Sequence, residues 1–238
     1  MSDAPDPLST DVVHAVELTR RFSSGPDVVT AADGINFVGK RGEFVCILGA
    51  SGSGKSTFIN LIAGLEQPDH GAITVHGERV DRMDEAGRAR LRMETVGVVF
   101  QEHNLIEEFT TLENVALPLE IQGISETDAQ DRAASELARV GLSAQRNRFP
   151  RELSGGQRQR VGIARALVGD RSVLLADEPT GALDTTNSRA IFQLLRDLAD
   201  SGVLVVVCTH DLDCTTYADR VHEIRDGHLV VADRAALR

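Results

Sequence analysis

Three short stretches of the chain are apolar almost without interruption: "EFVCIL" at 43–48, "SVLLAD" at 172–177 and "GVLVVVC" at 202–208. A strand with one wet face alternates apolar and polar positions, whereas a strand covered on both faces need not, so these runs predict buried parallel strands. Each is followed by a polar or glycine-rich turn. "GAITVHGERV" (71–80) and "RVHEIRDGHLVV" (220–231) read instead as hairpin strands, the second turning at Asp226-Gly227, a favoured type I′ pair. Together they predict an antiparallel flank on a mostly parallel core. A helical period governs 125–140, where Ala129, Ala133, Leu137 and Val140 share one face. Ser125 is placed to cap that helix, Asp128 to answer it as in a capping box, and Gly141 to end it. The interval between the first and second apolar runs is longer than one crossover needs, so a helical insertion is expected from about residue 98 to about 165.

The loop after the first run is the first sign of chemistry. "GASGSGKS" (49–56) satisfies G-x-x-x-x-G-K-[ST], directly after an expected strand and directly before the amphipathic "TFINLIAGL". Glycines let successive backbone N–H groups turn inward around phosphates, and the following helix presents its positive end to the same anion. Gly49, Ala50, Ser51, Gly52, Ser53 and Gly54 would form that cradle, with Thr57 beside it at the helix start. Lys55 can reach the outer phosphates, and the Ser56 hydroxyl can ligate Mg²⁺. A phosphate loop also needs an acid from a second strand, and "VLLADEPT" offers Asp177 and Glu178 at a strand's carboxyl end. Neighbouring strand residues point in different directions, so Asp177 suits the Mg²⁺ shell while Glu178 could orient or deprotonate an attacking water.

Composition narrows the partners. The net charge is −11, with 36 acids against 25 bases, aromatics make up 4% and tryptophan is absent, so nucleic acid is disfavoured as a partner. The longest apolar stretches, such as 203–208, fall far short of the roughly 18 to 20 residues that span a bilayer. The opening "MSDAPDPLSTD" is acidic and proline-bearing, so no signal peptide is expected and any membrane role would come through a partner. Cys46, Cys208 and Cys214 lack metal-like or redox-like spacing and are expected as buried free thiols.

Beyond about Val12 the motifs, in their order, resemble the ATP-binding-cassette (ABC) ATPase family. "GASGSGKS" resembles its Walker A, Gln101 in "VGVVFQEHNL" its Q-loop, and "LSGGQ" (153–157) its signature. "VLLADE" resembles its Walker B, "GALD" (181–184) its D-loop, and His210 in "VVVCTHD" its switch histidine. The resemblance implies a P-loop NTPase fold of the α/β class: a RecA-like, mostly parallel core, an antiparallel β flank and an inserted α-helical subdomain. It implies one domain over 12–238, with the core at 12–97 and 166–238, the helical and signature region at 98–165, and a flexible tail at 1–11. It implies ATP and Mg²⁺ as cofactors and ATP hydrolysis as the reaction. By carry-over, Lys55, Gln101, Glu178 and His210 are catalytic, and Ser56, Gln101 and Asp177 hold the metal. Phe22 would stack on adenine, although a core phenylalanine reads the same; Asp184 would serve the nucleotide, cap the next helix, or both. The remaining histidines, His14, His70, His76, His103, His222 and His228, receive no role.

Ser154, Gly155, Gly156 and Gln157 form a second anion nest at the start of a further expected helix. The resemblance explains it by a head-to-tail homodimer, in which each signature closes over ATP held by the partner's loop. "VFQEHNLIEEFTTLENVALPL" (99–119) and "ADEPTGALD" (176–184) further resemble the lipoprotein-releasing and macrolide-export branch. That branch implies a separate membrane permease and a place on the cytoplasmic face of the membrane. It implies export or extraction of a hydrophobic or membrane-associated substrate: lipoprotein, lipid, haem, antimicrobial peptide or drug. Leu105, Ile106, Phe109, Leu112 and Val115, beside Gln101, could line the permease's groove or belong to the core. The alternative is a regulatory ATPase that acts through a membrane partner on cell-wall enzymes and moves no solute.

Overall fold

The computed structural model describes residues 10–24 and 27–232. In chain order its elements are β1 (Asp11–Ser24), β2 (Asp27–Lys40), β3 (Phe44–Leu48), α1 (Lys55–Ile62), β4 (His70–Val75), β5 (Glu78–Arg79), α2 (Glu85–Glu94) and β6 (Val96–Val99). There follow α3 (Thr111–Ile121), α4 (Glu126–Arg139), α5 (Gly155–Leu167), β7 (Val173–Asp177), α6 (Thr185–Asp200), β8 (Leu204–Thr209), β9 (Arg220–Arg225) and β10 (His228–Val231).

The three apolar runs become β3, β7 and β8, and they lie side by side in a sheet of order β10-β9-β3-β8-β7-β6. Every neighbouring pair is parallel except β9 with β10. Both faces are covered, which is why these strands need no polar alternation. Phe44, Cys46, Leu174, Ala176, Val205 and Val207 enter the core shared with the helices α3 to α6. Val45, Ile47, Val173, Leu175 and Val206 enter a second core with Phe58, Ile59 and Ile62 of α1 and with Val13, Leu18, Ile35 and Ile73. The last four come from an antiparallel sheet of order β2-β1-β4-β5. Cys46, Cys208 and Cys214 are buried and free. Among the described residues, no helix is long and apolar enough to cross a membrane.

Several expectations shift. The 220–231 hairpin turns at Asp226 (φ +48°) and Gly227 (φ +81°) as the pair predicts. It does not join the antiparallel flank, however; β9 pairs in parallel with β3, making the hairpin an edge of the core sheet. Residues 98 and 99, expected at the start of the helical region, belong to β6, because Val98 and Val99 pair with Leu175 and Ala176. At its other end α5 runs on to Leu167. Of the expected tail, residues 1–9 lie outside the described residues, and Asp11 already pairs with Lys40 in β1. Ser125 caps α4 by accepting from the Asp128 N–H, but its hydroxyl donates to the Asp128 carboxylate at 2.7 Å, so that carboxylate serves the hydroxyl and not the cap backbone.

Candidate functional site

The ends of β3, β7 and β8 point to one edge of the sheet, where open α/β folds place their ligands. Between Leu48 and Lys55 the chain makes its tight loop, which takes φ +79° at Gly52 and φ +109° at Gly54. A Cβ there would be driven into the carbonyl oxygen of Ala31 on β2, so any larger residue would push the loop away from the sheet. α1 starts at Lys55 without a side-chain cap, leaving its first N–H groups toward the loop.

A cleft of about 600 Å³ opens above this loop, lined by Ala31, Ser51, Gly52, Gly54, Lys55, Ser56, Thr57, Gln101, Asp177, Glu178 and His210. Lys55 is buried; its Nζ donates to the carbonyls of Gly49 (2.7 Å) and Ala50 (3.0 Å) and lies 3.4 Å from Glu178 Oε1. Asp177 receives a hydrogen bond from Ser56, while its buried Oδ1 has no protein partner. Burial pushes the Asp177 carboxyl above the ordinary aspartate range, with the neighbouring Glu178 charge adding to it and Ser56 and Lys55 opposing. The Ser53 hydroxyl, within the loop, is likewise buried without a partner.

Glu178 adopts φ +48°, a left-handed backbone unusual for glutamate, and its N–H donates to Cys208 O at 2.8 Å. Its Oε2 accepts from the Thr209 hydroxyl at 2.9 Å and the His210 backbone N–H at 3.3 Å, and lies 3.0 Å from His210 Nδ1. Burial alone would raise this carboxyl. The bonds from His210 and Thr209, with the charges of His210 and Lys55, outweigh it and hold the group below the ordinary glutamate range. Gln101 also lines the cleft, and its Nε2 lies 3.1 Å from the place a Cβ on Gly181 would occupy.

The structure thus brings Lys55, Ser56, Thr57, Gln101, Asp177, Glu178 and His210 together. It leaves the second nest apart. Ser154 caps α5, accepting from the Gln157 N–H at 3.2 Å, while Gln157 Oε1 accepts from the Ser154 N–H at 3.0 Å. Gly155 and Gly156 face Leu183 and Asn187, and Asp184 caps α6 by accepting from the Asn187 N–H at 2.9 Å. Signature and D-loop are therefore neighbours, and neither 154–157 nor Asp184 lines the cleft. Phe22 does not line it either; it is half-buried on β1, with the Arg20 guanidinium 4.7 Å over its ring. Of the residues expected near a partner's groove, Val115 is fully buried, and Leu105 and Leu112 pack against the same core. Ile106 and Phe109 are half-buried, and Phe100, next to Gln101 in the chain, is exposed in a shallow groove with Leu65, Val98, Pro118 and Ala166. Ala31 lines the cleft and Thr209 bonds Glu178 from outside its lining; neither carries a motif signal of its own.

A family model described as "ABC transporter" matches residues 32–181. Over 223 residues the chain is 42% identical to a macrolide export ATP-binding/permease protein MacB of Hyphomonas neptunium, covering 94% of the chain but 35% of that protein. The chain thus spans about a third of the length of the macrolide-export relatives it matches. It is also 42% identical to the lipoprotein-releasing system ATP-binding protein LolD of Chromohalobacter salexigens, covering 96% of the chain and 97% of that protein. Among solved structures, a dimeric post-hydrolysis state of the ATP-binding cassette MJ0796 bound to ADP and Pi superposes with a TM-score of 0.83 at 38% identity, covering 91% of this chain and 96% of that one.

Proposed function

The chain belongs to the ABC transporter family as an ATP-hydrolysing subunit, and from that premise we propose that it hydrolyses ATP in the cleft above residues 49–56 and drives a separate membrane permease. The observation that carries this reading is the convergence of Lys55, Ser56, Gln101, Asp177, Glu178 and His210 on that one cleft.

With nucleotide present, Lys55 exchanges its bonds to Gly49 and Ala50 for the outer phosphate oxygens, and its release from Glu178 leaves that carboxylate free to act. Ser56 and Asp177, with the amide oxygen of Gln101, would hold Mg²⁺; these are hard oxygen donors, and the unpartnered buried Oδ1 of Asp177 suits a cation or its water. Bound Mg²⁺ supplies charge neutralisation for the outer phosphates. Glu178 takes a proton from the attacking water as its oxygen bonds to the γ-phosphorus and the bond to ADP breaks. A carboxyl held below its ordinary range is already ionised near neutrality, as a base must be. His210, exposed at the cleft's edge, donates to the terminal phosphate and keeps Glu178 in place. Adenine stacks on the face of Phe22 opposite Arg20.

ATP-binding cassettes of this family dimerise, as MJ0796 does. The separation of residues 154–157 from the chain's own cleft supports a head-to-tail dimer in which each signature serves the partner's ATP. Its separation on hydrolysis moves the permease, which docks beside Gln101 and the 105–115 segment and holds the subunit to the cytoplasmic face of the membrane. The likeness to the lipoprotein-releasing and macrolide-export proteins supports export or extraction of a hydrophobic or membrane-associated substrate.

Glu178→Gln tests the reading. ATP affinity should stay within about threefold of the parent, while turnover falls by about a hundredfold or more, the scale of losing a general base. Near-normal turnover would remove Glu178 from that role.

A further inference from the structure

We propose that Thr209 is a positioning residue for hydrolysis, whose hydroxyl aims the Glu178 carboxylate into the phosphate cleft; the inference rests on Glu178 being the base. Thr209 is the last residue of β8 and fully buried. It pairs with Leu48, the last residue of β3, and the preceding Cys208 pairs with Asp177 at the end of β7. Its backbone is therefore fixed between the strand that delivers the phosphate loop and the strand that delivers the acids. A β-branched side chain on such a backbone is stiff at χ1.

Two hydrogen bonds define the direction of its hydroxyl. The Asp211 N–H donates to Thr209 Oγ1 at 3.1 Å. That bond uses an oxygen lone pair and leaves the single hydroxyl proton for Glu178 Oε2 at 2.9 Å. The other groups on Oε2 belong to His210, whose side chain is 71% exposed, whereas Thr209 is shielded from solvent. The Thr209 bond therefore persists when His210 turns to another partner. With Oε2 engaged, Oε1, which faces Lys55 at 3.4 Å, is the oxygen left for the proton of a water. Thr209 does not line the cleft, so its influence passes through Glu178 and not through the phosphates.

The test uses Thr209→Val, which keeps shape and removes the hydroxyl, Thr209→Ser, which keeps the hydroxyl, Glu178→Gln, and the double variant. Steady-state and single-turnover hydrolysis are read with MgATP affinity on the full chain. Thr209→Val should lower kcat about tenfold to a hundredfold with KM within about threefold, and Thr209→Ser should return kcat to within about threefold of the parent. The double variant should be no slower than Glu178→Gln, within about twofold, because both changes act on one group. Should Thr209→Val fail to fold, Thr209→Ala enters the same cycle. An unchanged kcat, a change confined to KM, a Thr209→Ser as slow as Thr209→Val, or a double variant slowed by the full Thr209 factor would overturn the inference. If Glu178→Gln keeps its turnover, the base assignment itself falls, an outcome separate from all of these.

Discussion

Glu178 holds a left-handed backbone at φ +48°, which for a side chain of its size costs of order 1–3 kcal/mol. The N–H bond to Cys208 and the bonds on Oε2 hold it there, and the same backbone turn lifts the carboxylate off the β7 line toward Lys55. Its place was legible in the sequence because an apolar run ends in two acids. The strain was not, nor was Thr209, since a threonine after a run of valines reads as one more strand residue. His222 shows the same limit outside the site: the sequence gives it no role, yet it is buried, with Arg220 donating to its Nε2 at 2.9 Å and Phe37 edge-on. Burial, with the Arg220 charge, pushes its pKa down to about 4 from 6.5. Above pH 6.5 both folded and unfolded forms are neutral; as pH falls toward 4 the unfolded chain takes the proton first, so stability is lost across that window. The full loss approaches about 3 kcal/mol. In urea melts at pH 7 and pH 4.5, His222→Gln should lose less stability between the two than the parent does; parallel losses would exclude His222 as the cause.

Elements were legible where one physical demand dominated. The doubly covered strands β3, β7 and β8 show as apolar runs, and α4 shows as a four-position stripe ending at a glycine. β1 and β2 do not show, because register shifts between Ala15 and Leu18 and between Leu18 and Arg20 break their alternation, with Glu17 turned to φ +52° at the first. β6 is only four residues long and is masked by the Gln101 motif that follows it, while α2 buries a single residue, Leu91, and offers no stripe. α5 is the element whose start carries the prediction. A Cβ at Gly155 meets only the flexible end of Leu183 at 3.2 Å, and an acid suits a first helical turn, so Gly155→Asp should fold. It places a negative charge where the proposed head-to-tail dimer would bring the partner's phosphate. Hydrolysis should fall about a hundredfold or more, while ATP affinity of the isolated monomer stays within about twofold. Lost monomer affinity would overturn the division of labour between the two nests. Gly156 is the wrong position for this test, because a Cβ there presses on Asn187 Oδ1 at 2.9 Å and would mix packing with charge.

At the scale of the molecule, the cleft and an exposed apolar groove share a stretch of backbone. Phe100, 39% exposed, lies in the shallow groove with Leu65, Val98, Pro118 and Ala166, and its neighbour Gln101 lies in the cleft. Arg165 of α5 also lines that groove and donates to the carbonyls of His103 (2.8 Å) and Asn104 (2.7 Å). A segment seated in the groove would therefore touch the residue beside Gln101 and the helix that begins with the second nest. Of the expected segment 105–115, Val115 faces inward, while Leu65 of the groove comes from a distant part of the chain. If the permease docks here, Leu65→Asp on the 44% exposed side chain should lower its co-purification, and its stimulation of ATPase activity, by about tenfold, the scale of losing one apolar anchor. The rate of the isolated subunit should stay within about twofold, because Leu65 does not line the cleft. Unchanged stimulation would move the permease to another face. A collapse of the isolated rate would mean instead that the groove is part of the folding core between α1 and β6, and that the cleft depends on its closure without any partner.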